Sequence, residues 1–207
     1  MKKIMTVALE SPKKAKAYAV YDGERMVVLG CTQIAGPPSE WKQDLMDEIQ
    51  DKVNEGFVVL VEDRTGTFCE YGTQFSFEEE DDGRTMLHHA LDWWTAMQGV
   101  GNLLVEPEVE RFNIRVSSEG SMIDRQQDDK GRVKYNVQWQ SFQGGHKAVL
   151  MCVVAAMMEP ISERYLEAMF AADDAANAID DPPFLRTLAA LQKHDNKRFA
   201  EMDKVND

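Results

Sequence analysis

Cysteine and histidine are scarce in this chain of 207 residues, which has three of the first and four of the second. Cys31, Cys69 and Cys152 are odd in number, far apart and without a C-x-x-C pair. That excludes a disulfide framework and a cysteine zinc site, and suits a reducing compartment. His88 and His89 are adjacent while His146 and His194 stand alone, so no helical i, i+4 histidine pair exists to hold zinc. Long apolar runs are also missing: nothing approaches the run of about 18 residues that a bilayer-spanning helix needs. Lys2 and Lys3 precede only the short run Ile4 to Leu9 before Glu10 and Ser11, so no secretory leader is expected. Positive charge is in deficit, with 23 Lys and Arg against 36 Asp and Glu and a formal charge of −13. A surface that wraps nucleic acid over its whole extent is thereby excluded, and only a local basic site is left open. The expectation is a cytoplasmic protein without membrane contact, large enough for one sizeable core with appendages.

What is present reads as alternating strands and helices. Ile4 to Leu9 is apolar and β-branched, Ala17 to Tyr21 follows a short basic loop from Ser11 to Lys16, and Asp22-Gly23 turns the chain into Met26 to Ile34. Three antiparallel strands follow from this. Pro37 and Pro38 end the third, Ser39 is placed to cap a helix from Glu40 to Asn54, and Gly56 stops it. Trp41, Leu45, Ile49 and Val53 give that helix a core face. Phe57 to Val61 reads as a strand buried on both faces, ending in Glu62 and Asp63. The acidic run from Glu78 to Asp82 is expected to be a solvated loop or a helix start. A helix then spans Arg84 to Val100, where the neighbours Trp93 and Trp94 point about 100° apart, one to the core and one outward. Leu103 to Val105 is expected as a fifth strand, Ser117 to Arg132 as an exposed loop, and His146 to Met158 as a helix too apolar for the surface. The predicted architecture is α/β, a mixed five-stranded sheet flanked by helices over residues 1–159. A helical C-terminal appendage over 160–207 is expected to offer a protein-binding surface.

Three antiparallel strands, a helix, a buried parallel strand and then alternating helix and strand match the ribonuclease H-like order. The opening resembles that of RuvC-type Holliday-junction resolvases within that superfamily. The likeness rests on the apolar run from Ile4 to Leu9 closed by Glu10, on Tyr18-Ala19-Val20, on Met26 to Gly30 with its Leu-Gly step, and on Val58 to Val61 closed by Glu62. It covers residues 3–63, and 84–158 by pattern only. The resemblance implies a phosphodiesterase that hydrolyses structured or branched DNA with two Mg²⁺ or Mn²⁺ ions, acting as a homodimer on a symmetric junction. Glu10, Glu62 and His146 are then the implied metal ligands, Asp63 and Lys147 further catalytic candidates, and Lys13, Lys14 and Lys16 a local phosphate-binding loop.

Two departures from the family pattern matter. Glu10 stands where the family has Asp, one methylene shorter. The last helix opens Gly145-His146-Lys147-Ala148-Val149-Leu150, where relatives carry acids, so Lys147 brings a positive charge to the place of a cation. This supports an alternative, an inactive binding or regulatory module of the same fold that contacts a nucleic-acid-processing protein. The two readings differ in geometry. A nuclease needs Glu10, Glu62 and a third ligand to converge, whereas an inactive module needs the Lys147 ammonium within salt-bridge reach of Glu10 or Glu62. A compact, acidic, methionine-rich chain with eroded nuclease motifs also suits a phage or mobile element.

Overall fold

In the computed structural model, which describes residues 1–158 apart from 69, 79, 82, 118–120, 128 and 130, the first apolar run is a strand covered on both faces. Strand β1 (Lys2–Ala8) is buried without interruption from Ile4 to Ala8. It runs antiparallel to β2 (Ala15–Tyr21), which in turn pairs antiparallel with β3 (Met26–Gln33) across a bulge between Tyr18 and Ala19. Helix α1 (Pro38–Asn54) leads to β4 (Phe57–Glu62), which lies parallel to β1 in the register Thr6 to Leu60 and Ala8 to Glu62. The chain continues through β5 (Thr73–Gln74), the hairpin β6 (Glu80–Asp81) and β7 (Arg84–Thr85), helix α2 (Met86–Gly99) and β8 (Leu103–Val105). A 3-10 helix (Pro107–Phe112), strands β9 (Val116–Ser117), β10 (Ile123–Gln127) and β11 (Val133–Val137), and helix α3 (Gly144–Met157) complete the described elements.

The main sheet is mixed and has the order β5-β4-β1-β2-β3-β8. Because side chains alternate along a strand, its two faces can be read separately. Met5 and Val7 of β1 and Leu9 just beyond it, with Val59 and Val61 of β4, pack with Leu45 and Ile49 of α1 and with Phe68. On the opposite face the buried Thr6 hydroxyl donates to the Ala148 carbonyl of α3 at 2.6 Å. Helix α3 is buried over nearly its whole length, as its sequence foretells. Its close approach requires two glycines. A Cβ on Gly144 would overlap the Lys13 carbonyl, and one on Gly145 would run into the Phe112 ring. The arrangement is compatible with the ribonuclease H-like order, and residues 1–157 form one compact unit.

Several expectations need correction. The sheet has six strands and not five: the expected fifth, Leu103–Val105, lies at the edge beside β3, and the two-residue β5 adds a sixth at the other edge. Ser39 does not cap α1: Pro37 is the N-cap residue, without a side-chain cap bond, and Pro38 opens the helix, where its lack of an N–H leaves one fewer donor unpaired. The acidic run is neither plain loop nor helix start, since Glu80–Asp81 pairs with Arg84–Thr85 across Gly83 at φ +74°. The expected loop from 117 to 132 contains strand, with β10 antiparallel to β11 and parallel to β9 in a second, three-stranded sheet. Among the described residues no helix is long and apolar enough to cross a membrane. The appendage over 160–207 lies outside the described residues.

Candidate functional site

Parallel pairing of β1 and β4 brings two acids to neighbouring strand ends, the position where open α/β sheets form their clefts. The Leu9 N–H donates to the Glu62 carbonyl at 3.1 Å and carries the ladder one residue past β1, so that Glu10 emerges beside Glu62. On the outer side the Phe75 N–H donates to the Val61 carbonyl at 2.9 Å, which places Phe75 and then Phe77 along the same rim. Between them opens a cavity of about 270 Å³. Glu10, Glu62, Asp63, Arg64, Glu78 and Lys147 supply its charged lining, and Phe75, Phe77 and Trp139 its aromatic one.

The deepest contact is an ion pair. The Lys147 ammonium, from the first turn of α3, donates to Glu62 Oε1 at 2.8 Å, with 12% and 6% of the two side chains exposed. Glu62 Oε2 is buried and has no hydrogen-bond partner. Burial raises the Glu62 carboxyl above the usual range, and the Lys147 bond and charge offset this only in part; the Glu10 charge adds to the rise. Glu10 is held from outside. Its Oε1 accepts the Arg64 N–H at 2.7 Å, and its Oε2 lies 3.6 Å from the Arg64 guanidinium, which also pairs with Glu78.

The remaining expected residues are placed differently. Asp63 lines the cavity, but its carboxylate closes the following turn: Oδ1 accepts from the Thr65 N–H and hydroxyl, and Oδ2 from the Phe68 N–H. His146 is not brought to the carboxylates. It stacks on Phe142 and meets the edge of Phe112, its Nδ1 accepts the Gln143 N–H at 3.2 Å, and burial lowers its pKa while a hydrogen bond to the Arg111 backbone opposes that. One residue further along the helix, the side chain projects about 100° away, which is why Lys147 and not His146 faces the acids. Lys16 lies in β2 and is tied to Glu48 of α1, so the basic loop retains Lys13, exposed, and Lys14, half-buried. Of the tryptophan pair, Trp94 is the core residue, donating to the Ile114 carbonyl at 3.1 Å, and Trp93 is partly exposed.

Trp139, 57% exposed at the cavity, carries no signal in a sequence context of glutamines and serine. Arg64 was likewise invisible as a partner of Glu10, because the pairing depends on the turn after β4. Each glutamate already gives an oxygen to an internal donor, and among the described residues no group of three or more His, Cys, Asp or Glu is arranged to hold an ion.

The fold is thus mixed α/β with an acid-lined cleft at adjacent strand ends. No protein-family model matches the chain, and no curated protein does. Among solved structures it is similar to the large terminase of a thermophilic bacteriophage, with a TM-score of 0.44 and 12% identity over 73% of this chain. The ADP complex of that terminase gives a TM-score of 0.42 and 13% identity over 70% of this chain. The chain spans 39% of the length of the terminase.

Proposed function

We propose that the chain is a ribonuclease H-like binding or regulatory module whose carboxylate site is closed by an internal cation, and that it contacts a nucleic-acid-processing protein instead of hydrolysing DNA. The observation that carries this reading is the buried 2.8 Å pair between Lys147 and Glu62. An ammonium at that spot supplies the positive charge a metal would bring, without the coordination that activates a water. The acidic surface supports a basic partner surface over a nucleic acid one.

One observation favours the nuclease reading: Glu10 and Glu62 do meet at one cavity, as a two-metal site requires. Thermal unfolding with and without millimolar Mn²⁺ or Mg²⁺ separates the two, because a ligand that binds only the folded state raises the midpoint. The expected result is no rise for the natural sequence and a rise for Lys147→Asp, which restores a third carboxylate. A metal-dependent rise in the natural sequence, lost in Glu10→Gln and Glu62→Gln and accompanied by cleavage of branched DNA, would overturn the proposal.

A further inference from the structure

The cavity combines features that an internal ion pair alone does not require. Glu62 is 5% exposed, and its Oε2 is a buried acceptor without a donor, in a residue that lines the cavity. The cation beside it, Lys147, already bonds the other oxygen. Around it the lining holds four carboxylates, Glu10, Glu62, Asp63 and Glu78, against Arg64 and Lys147, so the cavity favours a cation over an anion. Its volume of about 270 Å³ falls below that of pockets for drug-sized ligands and suits a single small group.

We infer that this cavity is a receptor for a guanidinium group, brought either by an arginine side chain of a partner protein or by a small free guanidino compound. The inference rests on the closed-site reading above, since a metal ion and a guanidinium would compete for the same oxygens. A guanidinium is planar, carries five donors in a fixed fork, is weakly hydrated and stacks on aromatic faces. Here one edge pairs with the carboxylates of Glu62 and Glu10, which line the cavity together, while Trp139, Phe75 and Phe77 supply aromatic surface. An alkylammonium is compact and strongly hydrated, and Lys147 already fills that role beside Phe77, 5.8 Å from the ring centre.

The test is a titration of the whole ¹⁵N-labelled chain followed by NMR, with four probes: Nα-acetyl-arginine-N-methylamide, methylguanidinium, the matching lysine amide and Mn²⁺. The expected result is saturable shifts at Glu62, Phe77 and the Trp139 indole N–H with the arginine amide, and binding about fivefold weaker for the lysine amide. Glu62→Gln should weaken the arginine amide about tenfold. Trp139→Ala, at a largely exposed position that gives up one edge contact with Phe142, should weaken it about threefold to fivefold and covers the case in which the glutamate variant misfolds. Stronger binding of the arginine amide than of methylguanidinium assigns the site to a protein side chain, and equal binding to free guanidino compounds. No saturable shift with either guanidino probe, together with no Mn²⁺ effect, overturns the receptor and leaves the closed-site reading standing. Specific Mn²⁺ broadening at Glu10 and Glu62 overturns both.

Discussion

Replacing Lys147 by methionine removes the cation and keeps most of the side-chain volume. At 2.8 Å and an effective dielectric constant near 20, the pair attracts with roughly 6 kcal/mol before desolvation is subtracted. Breaking a buried pair from one side costs about 3–5 kcal/mol in general, because the other charge is left uncompensated. Here protonation sets a ceiling. Glu62 can become neutral, and at pH 7 that costs about 1.4 kcal/mol for each of the roughly 2.7 units separating the solution pH from an ordinary glutamate pKa, or about 3.7 kcal/mol.

The pH dependence follows from the same quantity. A carboxyl whose folded pKa is raised binds a proton more readily folded than unfolded, so its contribution to stability is largest below the unfolded pKa and is lost as pH rises through the folded value. Glu62 is already on the raised side with Lys147 present. Without Lys147 it moves further. Urea unfolding of Lys147→Met should therefore show a loss of about 3–4 kcal/mol at pH 7 that shrinks by up to about 1.4 kcal/mol for each unit the pH is lowered toward 5. Lys147→Met combined with Glu62→Gln removes both charges and should recover most of the loss. A single variant within about 1 kcal/mol of the natural sequence at pH 7, or a difference that does not change with pH, would refute the assignment of this pair as the lock on the site.

Gly144→Ala should lower stability by about 1–3 kcal/mol or more, read as a fall in the urea midpoint, because its new Cβ meets the Lys13 backbone, which has no rotamer to yield. Cys152 is fully buried with its thiol pushed up to about 12, so site-resolved alkylation at pH 8 should label it only at the rate of global unfolding, and labelling in the native state without urea dependence would contradict its placement.

The core was legible in the sequence wherever burial left a periodic trace. Ile4 to Ala8 and Val58 to Val61 are continuous apolar runs because helices cover both faces, and α1 shows Leu45 and Ile49 one turn apart against them. The small sheet was not legible, since β10 reads Ile-Asp-Arg-Gln-Gln and buries only Ile123. Its order comes from backbone pairing, which leaves no hydrophobic period to read. The same division runs through the site. Glu10 and Glu62 stood out as acids closing apolar strands, and Lys147 as a charge at the head of an apolar helix. Whether His146 or Lys147 faced the acids depended on the helix phase, set by Gly144 against Lys13 and Gly145 against Phe112. Arg64 and Trp139 entered from turns whose courses no local pattern specifies.

A buried ion pair is an indifferent stabiliser, since well-packed apolar residues of similar volume are commonly as good or better. The interior around Glu62 offers such packing: Val59, Leu60 and Val61 precede it, and Ala148, Val149 and Leu150 follow Lys147, all buried. Keeping two charges at that point, with one carboxylate oxygen unpartnered, is therefore poorly accounted for by stability alone. It is better accounted for by a ligand for the cavity that Glu62 lines. The cation fixes one oxygen of Glu62, a residue that lines the cavity, while Arg64 holds Glu10 at the rim through its backbone N–H and its guanidinium. Pre-orientation of this kind lowers the ordering cost of binding. On that account Lys147 orients a receptor as well as closing a metal site, and Lys147→Met should weaken guanidinium binding even though it removes a positive charge from the cavity.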